Sequence, residues 1–314
     1  MDNRVICVVG PTATGKTKMG VALAKRFGGE VVSVDSMQIY RGMTIGTAAP
    51  TAEETEGIPH HMVAVADPAE SWSVARFTEQ ADRCIQDILR RGRRPVLVGG
   101  TGLYLDSILS GRTFAAGHSG GEVRRALQTE LAQGGIEPLY RQLQAIDPTA
   151  AARLHLSDEK RILRALEVFR ETGETITAHD ARTRLRPPKY RAYTIGLTFR
   201  DRADLYERID CRVDTMVGQG LLQEVEALLK SGLPETATAL QAIGYKQFLS
   251  VYRGDTPARD AVTEVKLRSR QYAKRQLTWL RRKEDIHWIL WEKTPDFPAG
   301  LQNATEYLLA QGLG

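Results

Sequence analysis

Residues 10–17 read GPTATGKT and satisfy the phosphate-loop pattern G-x-x-x-x-G-K-[ST]. An apolar run at 5–9 precedes them, and an apolar-periodic stretch at 16–27 follows and stops at the pair Gly28-Gly29. That is the strand, loop and helix context the pattern requires. Gly10, Pro11, Thr12, Ala13, Thr14 and Gly15 are therefore expected to turn backbone N–H groups towards an anion, with the helix N-terminus adding partial positive charge. Lys16 is expected to reach the phosphates, and the Thr17 hydroxyl to hold Mg2+. The bland alternative is a Gly-rich turn, and the motif alone leaves the phosphate compound open.

Outward from this loop, residues 30–34 (EVVSV) form a second apolar run ending at Asp35-Ser36-Met37-Gln38. In open α/β sheets ligands bind at the carboxyl ends of strands, which puts Asp35 beside the loop; the alternative is an Asp that only caps the next turn. Residues 41–59 read as a loop, and His60-His61 lack companions for a metal and are read as structural. The pattern predicts a helix over 73–91, with Val74, Phe77, Ala81, Ile85 and Ile88 or Leu89 on one face. A further strand, PVLV at 95–98, runs into Gly99-Gly100-Thr101-Gly102. Nucleotide-hydrolysing enzymes usually end such a strand in an acidic residue that helps hold Mg2+. Here it ends in GGTG, which argues against routine ATP hydrolysis.

From 111 to about 188 the chain changes to a Gly-rich lead-in, AAGHSGG at 115–121, followed by helical patterns, and is read as an inserted helical domain. One amphipathic helix is predicted over 122–133. Another is capped by Ser157 and ends at Gly173, with Lys160, Arg161 and Arg164 as a basic face or simply a solvated one. Arg184, Arg186, Pro187, Pro188 and Lys189 form a basic connector back to a strand at 193–199. Asp201 caps the next helix, on which Leu205, Ile209, Met216 and Val217 are available for the core. On it Arg208 and Arg212 share a face and suit a pyrophosphate or phosphodiester, with surface salt bridges as the alternative. The long helix at about 257–283 concentrates Lys266, Arg268, Arg270, Lys274, Arg275, Arg281, Arg282 and Lys283, interleaved with Tyr272, Trp279, Gln271 and Gln276. Phosphate contacts combined with base stacking are what single-stranded RNA recognition uses. A closing strand at 286–291 and a helix over 298–313 complete the pattern.

The chain has 314 residues, 42% hydrophobic and 26% charged, with a formal net charge of +5. That is ordinary globular composition, not a disordered one, and is compatible with a polyanionic partner. Cys7, Cys84 and Cys211 are scattered and support neither a disulfide framework nor a zinc site. With no signal peptide and no stretch of membrane-spanning length, a cytoplasmic protein with no membrane association is expected.

Several stretches together resemble one family, the tRNA dimethylallyltransferases of bacterial type. They are GPTATGKT (10–17), SVDSMQIYRGM (33–43), IGTAAP (45–50), GIPHH (57–61), VGGTGLYL (98–105), DPTAAARLH (147–155), RALEV (164–168), LYERIDCRVDTMV (205–217), AIGYKQ (242–247) and YAKRQLTWLRR (272–282). Thr44, Ala49 and Ala64 depart from the family pattern, which favours Asp, Lys and Asp there. The resemblance implies an α/β, P-loop NTPase-like core with a parallel sheet flanked by helices, at 1–112 and 190–314, and an all-helical insertion at 113–189 that contacts the anticodon stem-loop.

It also implies transfer of a dimethylallyl group from its diphosphate to the exocyclic N6 amine of the adenosine 3′-adjacent to the anticodon, in tRNAs reading codons that start with U. Diphosphate is released, Mg2+ assists, and the enzyme is expected to be a monomer without an obligate protein partner. By the same resemblance Asp35 is the general base. Lys16, Thr17 with Mg2+, the phosphate-loop amides and Arg208 or Arg212 stabilise the departing diphosphate, and Thr101 and Arg124 contact tRNA near the reaction centre. Ser36, Met37 and Gln38 hold the flipped adenine; Lys160, Arg161, Ile162, Leu163 and Arg164 contact the stem-loop; and Gln271, Lys274, Arg275, Gln276, Trp279 and Arg282 grip the RNA backbone or flanking bases. Two other readings stand beside it. One is a small-molecule kinase, or a prenyltransferase of free adenine nucleotides, on the same scaffold. The other is a noncatalytic RNA-binding module.

Overall fold

The computed structural model describes residues 2–111, 121–184 and 187–313. Arg186 and residues 115–120 of the Gly-rich lead-in fall outside that set. The chain divides into two compact units, Met1–Leu109 with Tyr190–Gly314, and Ser110–Lys189.

The first unit is built on a sheet of six parallel strands: β1 (Arg4–Val9), β2 (Gly29–Val34), β3 (His60–His61), β4 (Arg94–Gly99), β5 (Arg191–Phe199) and β6 (Ile286–Trp291). Their spatial order is β3-β2-β4-β1-β5-β6. Strands of a parallel sheet are covered on both faces, which is why β1 and β4 read as unbroken apolar runs. Alternate residues supply two cores. Val5, Cys7 and Val9 join Val32, Val34 and Leu97 on one face, and Ile6 and Val8 join Val31, Val96 and Val98 on the other.

Helices α1 (Lys16–Arg26), α2 (Ala52–Thr55), α3 (Val74–Arg90) and α4 (Gly102–Ser110) connect the first strands. In α3 the Ser73 hydroxyl accepts from the Arg76 amide at 3.2 Å, and Phe77, Ala81, Ile85 and Ile88 are fully buried. Each large side chain on that stripe contributes about 1.5–3 kcal/mol of burial. Val74 and Leu89 are both half-buried, so the fully buried face is narrower than the pattern suggested.

The histidine pair, read as structural, forms the two-residue strand β3. His61 Nε2 lies 2.7 Å from Glu30 Oε2, and hydrogen bonds from Arg91 first and His61 second hold the Glu30 carboxyl down to about 2.

The second unit contains α5 (Glu122–Gly134), α6 (Ile136–Ile146), α7 (Pro148–Ala151), α8 (Glu159–Thr172) and α9 (Ile176–Arg184) around its own core of Leu127, Leu139, Leu143, Ile162, Leu163 and Leu166. Asp147 ties it together, accepting from the Ala150 amide at 2.9 Å, the Thr177 amide at 3.0 Å and the Thr177 hydroxyl at 2.7 Å. Asp158, not Ser157, occupies the N-cap position of α8. The Ser157 hydroxyl instead meets His155 Nδ1 at 3.0 Å, which takes it away from the helix end.

Back in the first unit, α10 (Arg202–Gly218), α11 (Leu221–Lys230), α12 (Tyr245–Tyr252), α13 (Ala258–Leu280) and α14 (Phe297–Ala310) complete the layers. Asp201 caps α10, accepting from the Ala203 amide at 2.8 Å. Leu205, Ile209 and Val213 are the buried residues of α10, while Met216 and Val217 are only partly covered. Among the described residues no helix is long and apolar enough to cross a membrane.

Candidate active site

Register brings the site together. Val9 and Val34 are both paired with Gly99, so β1, β4 and β2 end level with one another. Gly10, Gly100 and Asp35 are the next residues along each, set side by side at the roughly 4.8 Å strand spacing. The loop after β1, the GGTG turn after β4 and the carboxylate after β2 therefore share one rim of the sheet, where the order of connections reverses and ligands bind in such folds.

The phosphate loop is a left-handed turn at Ala13 (φ 67°) and Gly15 (φ 85°). Side chains from far along the chain brace it. Trp291 Nε1 donates to Thr14 O at 3.0 Å, Arg208 Nε to Ala13 O at 3.3 Å, and Thr12 N to Gln276 Oε1 at 3.1 Å. The ring of Phe297 packs on Gly15, where a Cβ would stand 2.3 Å from it. Lys16 Nζ donates to Pro11 O at 2.7 Å. Burial of that ammonium, then repulsion from Arg212, push it down to about 7, and Asp35 offsets part of the loss. Arg212 feels the same burial, eased by Glu54 and Asp35, and its Nε is buried without a hydrogen-bond partner among the described residues. Two crowded cations and a guanidinium N–H without a partner among the described residues make a site suited to an anion. Arg208 and Arg212 thus turn to the loop, because α10 runs past it, and the surface ion-pair alternative does not hold for them.

Asp35 Oδ1 accepts from the Met37 amide at 2.8 Å and the Gln38 amide at 3.3 Å. The phenols of Tyr104 and Tyr272 feel its charge; burial, with that charge, pushes Tyr104 up to about 12 and raises Tyr272 as well. Thr101 places its buried hydroxyl beside Tyr272 without a well-formed hydrogen bond. Gln38 accepts from the Ser33 hydroxyl at 2.8 Å and donates to Thr47 O and Ala48 O at 3.3 and 3.1 Å. The loop carrying those carbonyls hangs on one carboxylate. Glu224 accepts from the amides of Thr44, Ile45 and Gly46 at 2.8, 2.9 and 3.0 Å, from the Thr44 hydroxyl at 2.9 Å, and from the Tyr245 phenol.

As for a metal, the described residues contain no cluster of His, Cys, Asp or Glu that could cage one alone. The Thr17 hydroxyl makes no hydrogen bond among them. A single hydroxyl supplemented by phosphate oxygens and water is a donor set that suits Mg2+, which keeps much of its hydration.

On α13 the charge excess thins out. Lys266 is paired with Asp214, Arg268 with Glu264, Arg270 with Asp210 and Lys283 with Asp106. Gln271, Lys274, Arg275, Thr278, Trp279 and Arg282 line a uniformly basic cavity of about 460 Å³. A larger cavity, about 660 Å³ between α12 and α13, shares Gln271 and Arg275 but mixes Lys246 and Arg268 with Asp260 and Glu264, so it has no comparable attraction for an anion.

Gln276, expected to contact RNA, is instead buried with its amide turned to the phosphate loop. In the second unit Ile162 and Leu163 are core residues, since a contiguous stretch of helix cannot face solvent throughout; Lys160 and Arg161 are exposed and Arg164 is half-buried. Arg164 is 2.9 Å and Arg124 3.8 Å from the buried Glu167 carboxylate. Tyr104, Tyr272, Glu224, Trp291 and Phe297 join the site without having been singled out as site residues. Of these, Tyr104 and Tyr272 carried a signal, as parts of the VGGTGLYL and YAKRQLTWLRR stretches.

The IPP transferase family model matches residues 38–283, and the Isopentenyl transferase model matches 3–64. The chain is 42% identical over 313 residues to a tRNA dimethylallyltransferase of Acetivibrio thermocellus, covering 100% of this chain and 99% of the relative. It is 45% identical to another from Geobacter metallireducens, over 91% of this chain and 92% of that one. Among solved structures it is similar to the tRNA isopentenylpyrophosphate transferase of Bacillus halodurans (TM-score 0.71, 40% identity, 99% and 97% coverage). It is also similar to a eukaryotic dimethylallyltransferase described as acting on tRNA (TM-score 0.82, 31% identity, 98% and 78% coverage).

Proposed function

The chain belongs to the tRNA dimethylallyltransferase family and so prenylates tRNA, and on that premise we propose that the rim formed by Gly10, Asp35 and Gly100 carries out the transfer. The donor is dimethylallyl diphosphate, cradled by residues 10–17. The acceptor is the N6 amine of the adenosine next to the anticodon on its 3′ side. The amine nitrogen bonds to the allylic carbon as the carbon–oxygen bond to the diphosphate breaks. The proton shed by the amine passes to the Asp35 carboxylate, and diphosphate leaves.

Asp35 is suited to this by its place in register with the loop and by the Met37 and Gln38 amides, which fix one carboxylate oxygen. Lys16, Arg208 and Arg212 meet the negative charge that grows on the leaving group. Mg2+ held by Thr17 and the diphosphate would supply further neutralisation of that charge. Gln38, its amide fixed by Ser33 and by the Thr47 and Ala48 carbonyls, positions the extruded adenine, since a stacked base cannot present its amine. Lys274, Arg275, Trp279 and Arg282 hold the flanking RNA, and Arg124, Lys160, Arg161 and Arg164 of the second unit hold the stem-loop.

The single observation that carries this reading is Asp35 beside the crowded cations Lys16 and Arg212 at the phosphate loop. Asp35→Asn should lower single-turnover transfer of labelled dimethylallyl to unmodified tRNA by about 10²–10⁴-fold, with tRNA affinity little changed. Near-normal turnover would remove Asp35 as the base. Label entering RNA only from ATP, or entering free adenine nucleotides instead of RNA, would replace the reaction itself.

A further inference from the structure

The GGTG turn and α13 fit one another closely. A Cβ on Gly100 would stand 2.1 Å from Gln276 Nε2, and one on Gly102 would stand 2.3 Å from the indole of Trp279. Positions 276 and 279 are three apart and share a helix face, so one face of α13 is seated on two glycines of the turn. Gln276 is 8% exposed. Its Nε2 donates to Gly100 O at 3.1 Å, and its Oε1 accepts from Thr12 N at 3.1 Å. Turning the amide over would set oxygen against a carbonyl and NH2 against an N–H, so only this orientation satisfies both partners. One side chain thereby links the turn after β4 to the phosphate loop. Residues 271, 274, 275 and 278 of the same helix, with Arg282 just beyond its end, line the basic cavity.

We propose that Gln276 is a positioning residue that couples the two substrate sites, so that RNA on α13 and a diphosphate in the phosphate loop each tighten the other's binding. This rests on the prenyl-transfer reading above. RNA seated along α13 favours the helix position from which Gln276 reaches both Gly100 O and Thr12 N. The loop is then held in the shape that the diphosphate requires. The diphosphate favours the same shape, and coupling between binding sites is reciprocal. Gln276 contacts neither substrate in this scheme. It acts through the backbone of Thr12.

The test uses inorganic pyrophosphate with Mg2+ and an unmodified anticodon stem-loop RNA, titrated separately and together by calorimetry on the full chain, so that no turnover intervenes. In the wild type RNA should tighten pyrophosphate by about tenfold, and pyrophosphate should tighten RNA by the same factor. In Gln276→Leu the factor should fall to about one to two, with each ligand still binding alone. Gln276→Glu keeps an acceptor for Thr12 N but sets oxygen against Gly100 O, and it should lose coupling too; it serves should the leucine variant fail to fold. An undiminished factor in a folded variant, or no coupling in the wild type, would overturn the proposal. Failure of the prenyl-transfer reading would show elsewhere, as wild-type enzyme that binds both ligands cooperatively but never moves dimethylallyl to RNA.

Discussion

Binding of a diphosphate should draw a proton onto the protein. Within the cradle the Lys16 ammonium is pushed down to about 7, by burial first and by Arg212 second. A diphosphate within reach supplies the missing negative charge and restores the group to about 10, its ordinary value. The lysine pKa is thus low when free and high when bound, and in the window between them binding takes up a proton. Uptake should be about half a proton per site at pH 7 and about 0.9 at pH 8. Affinity falls as pH rises through that window, because a neutral lysine must first be charged. With those two values the association constant should drop about fiftyfold from pH 7 to pH 9. Calorimetry at pH 8 in two buffers of different ionisation enthalpy reads the proton count directly, and Lys16→Met supplies the control with none. Equal heats in both buffers, together with an affinity flat from pH 7 to 9, would show that burial and Arg212 do not depress Lys16.

Three further outcomes are expected. Glu224→Ala removes the acceptor for three amides and two hydroxyls, and should cost about 2–4 kcal/mol in urea unfolding; Tyr245→Phe, which removes one of those bonds, should cost about 1 kcal/mol. Neutralising Lys274, Arg275 and Arg282 together should lower the slope of log affinity against log salt for an anticodon stem-loop by about 2, and an unchanged slope would place the RNA elsewhere.

The rim of the sheet was legible because its signals are local. An apolar run, a phosphate-loop pattern and a strand-terminal Asp each occupy fewer than about ten residues, and parallel register aligns them with little further information. The braces were not legible. Trp291 reaches Thr14 across 277 positions, Gln276 reaches Thr12 across 264, and Glu224 reaches the 44–46 loop across about 180. Such contacts leave no periodicity in the chain. Helix faces explain the misplaced residues: carrying 160–164 over as a block took in Ile162 and Leu163, which the turn of α8 sends into the core. Arg208 and Arg212 were correctly placed on one face, but nothing in α10 itself says that this face meets the phosphate loop.

The clasp of Trp291 and Phe297 on the loop at 10–17 also bears on how this protein comes into being. Thr14 is made long before Phe297, so at about 5–20 residues per second the loop exists for about 15–55 s before its braces do. Until then the Thr14 carbonyl lacks the Trp291 indole. A ribosome-bound chain of two hundred and some residues already carries Lys16, Asp35 and Arg212, yet its cradle is unfinished. Competence to hold a diphosphate is therefore acquired only after residue 297 has been made, which a series of stalled chains of increasing length would register as a step once that residue clears the ribosome.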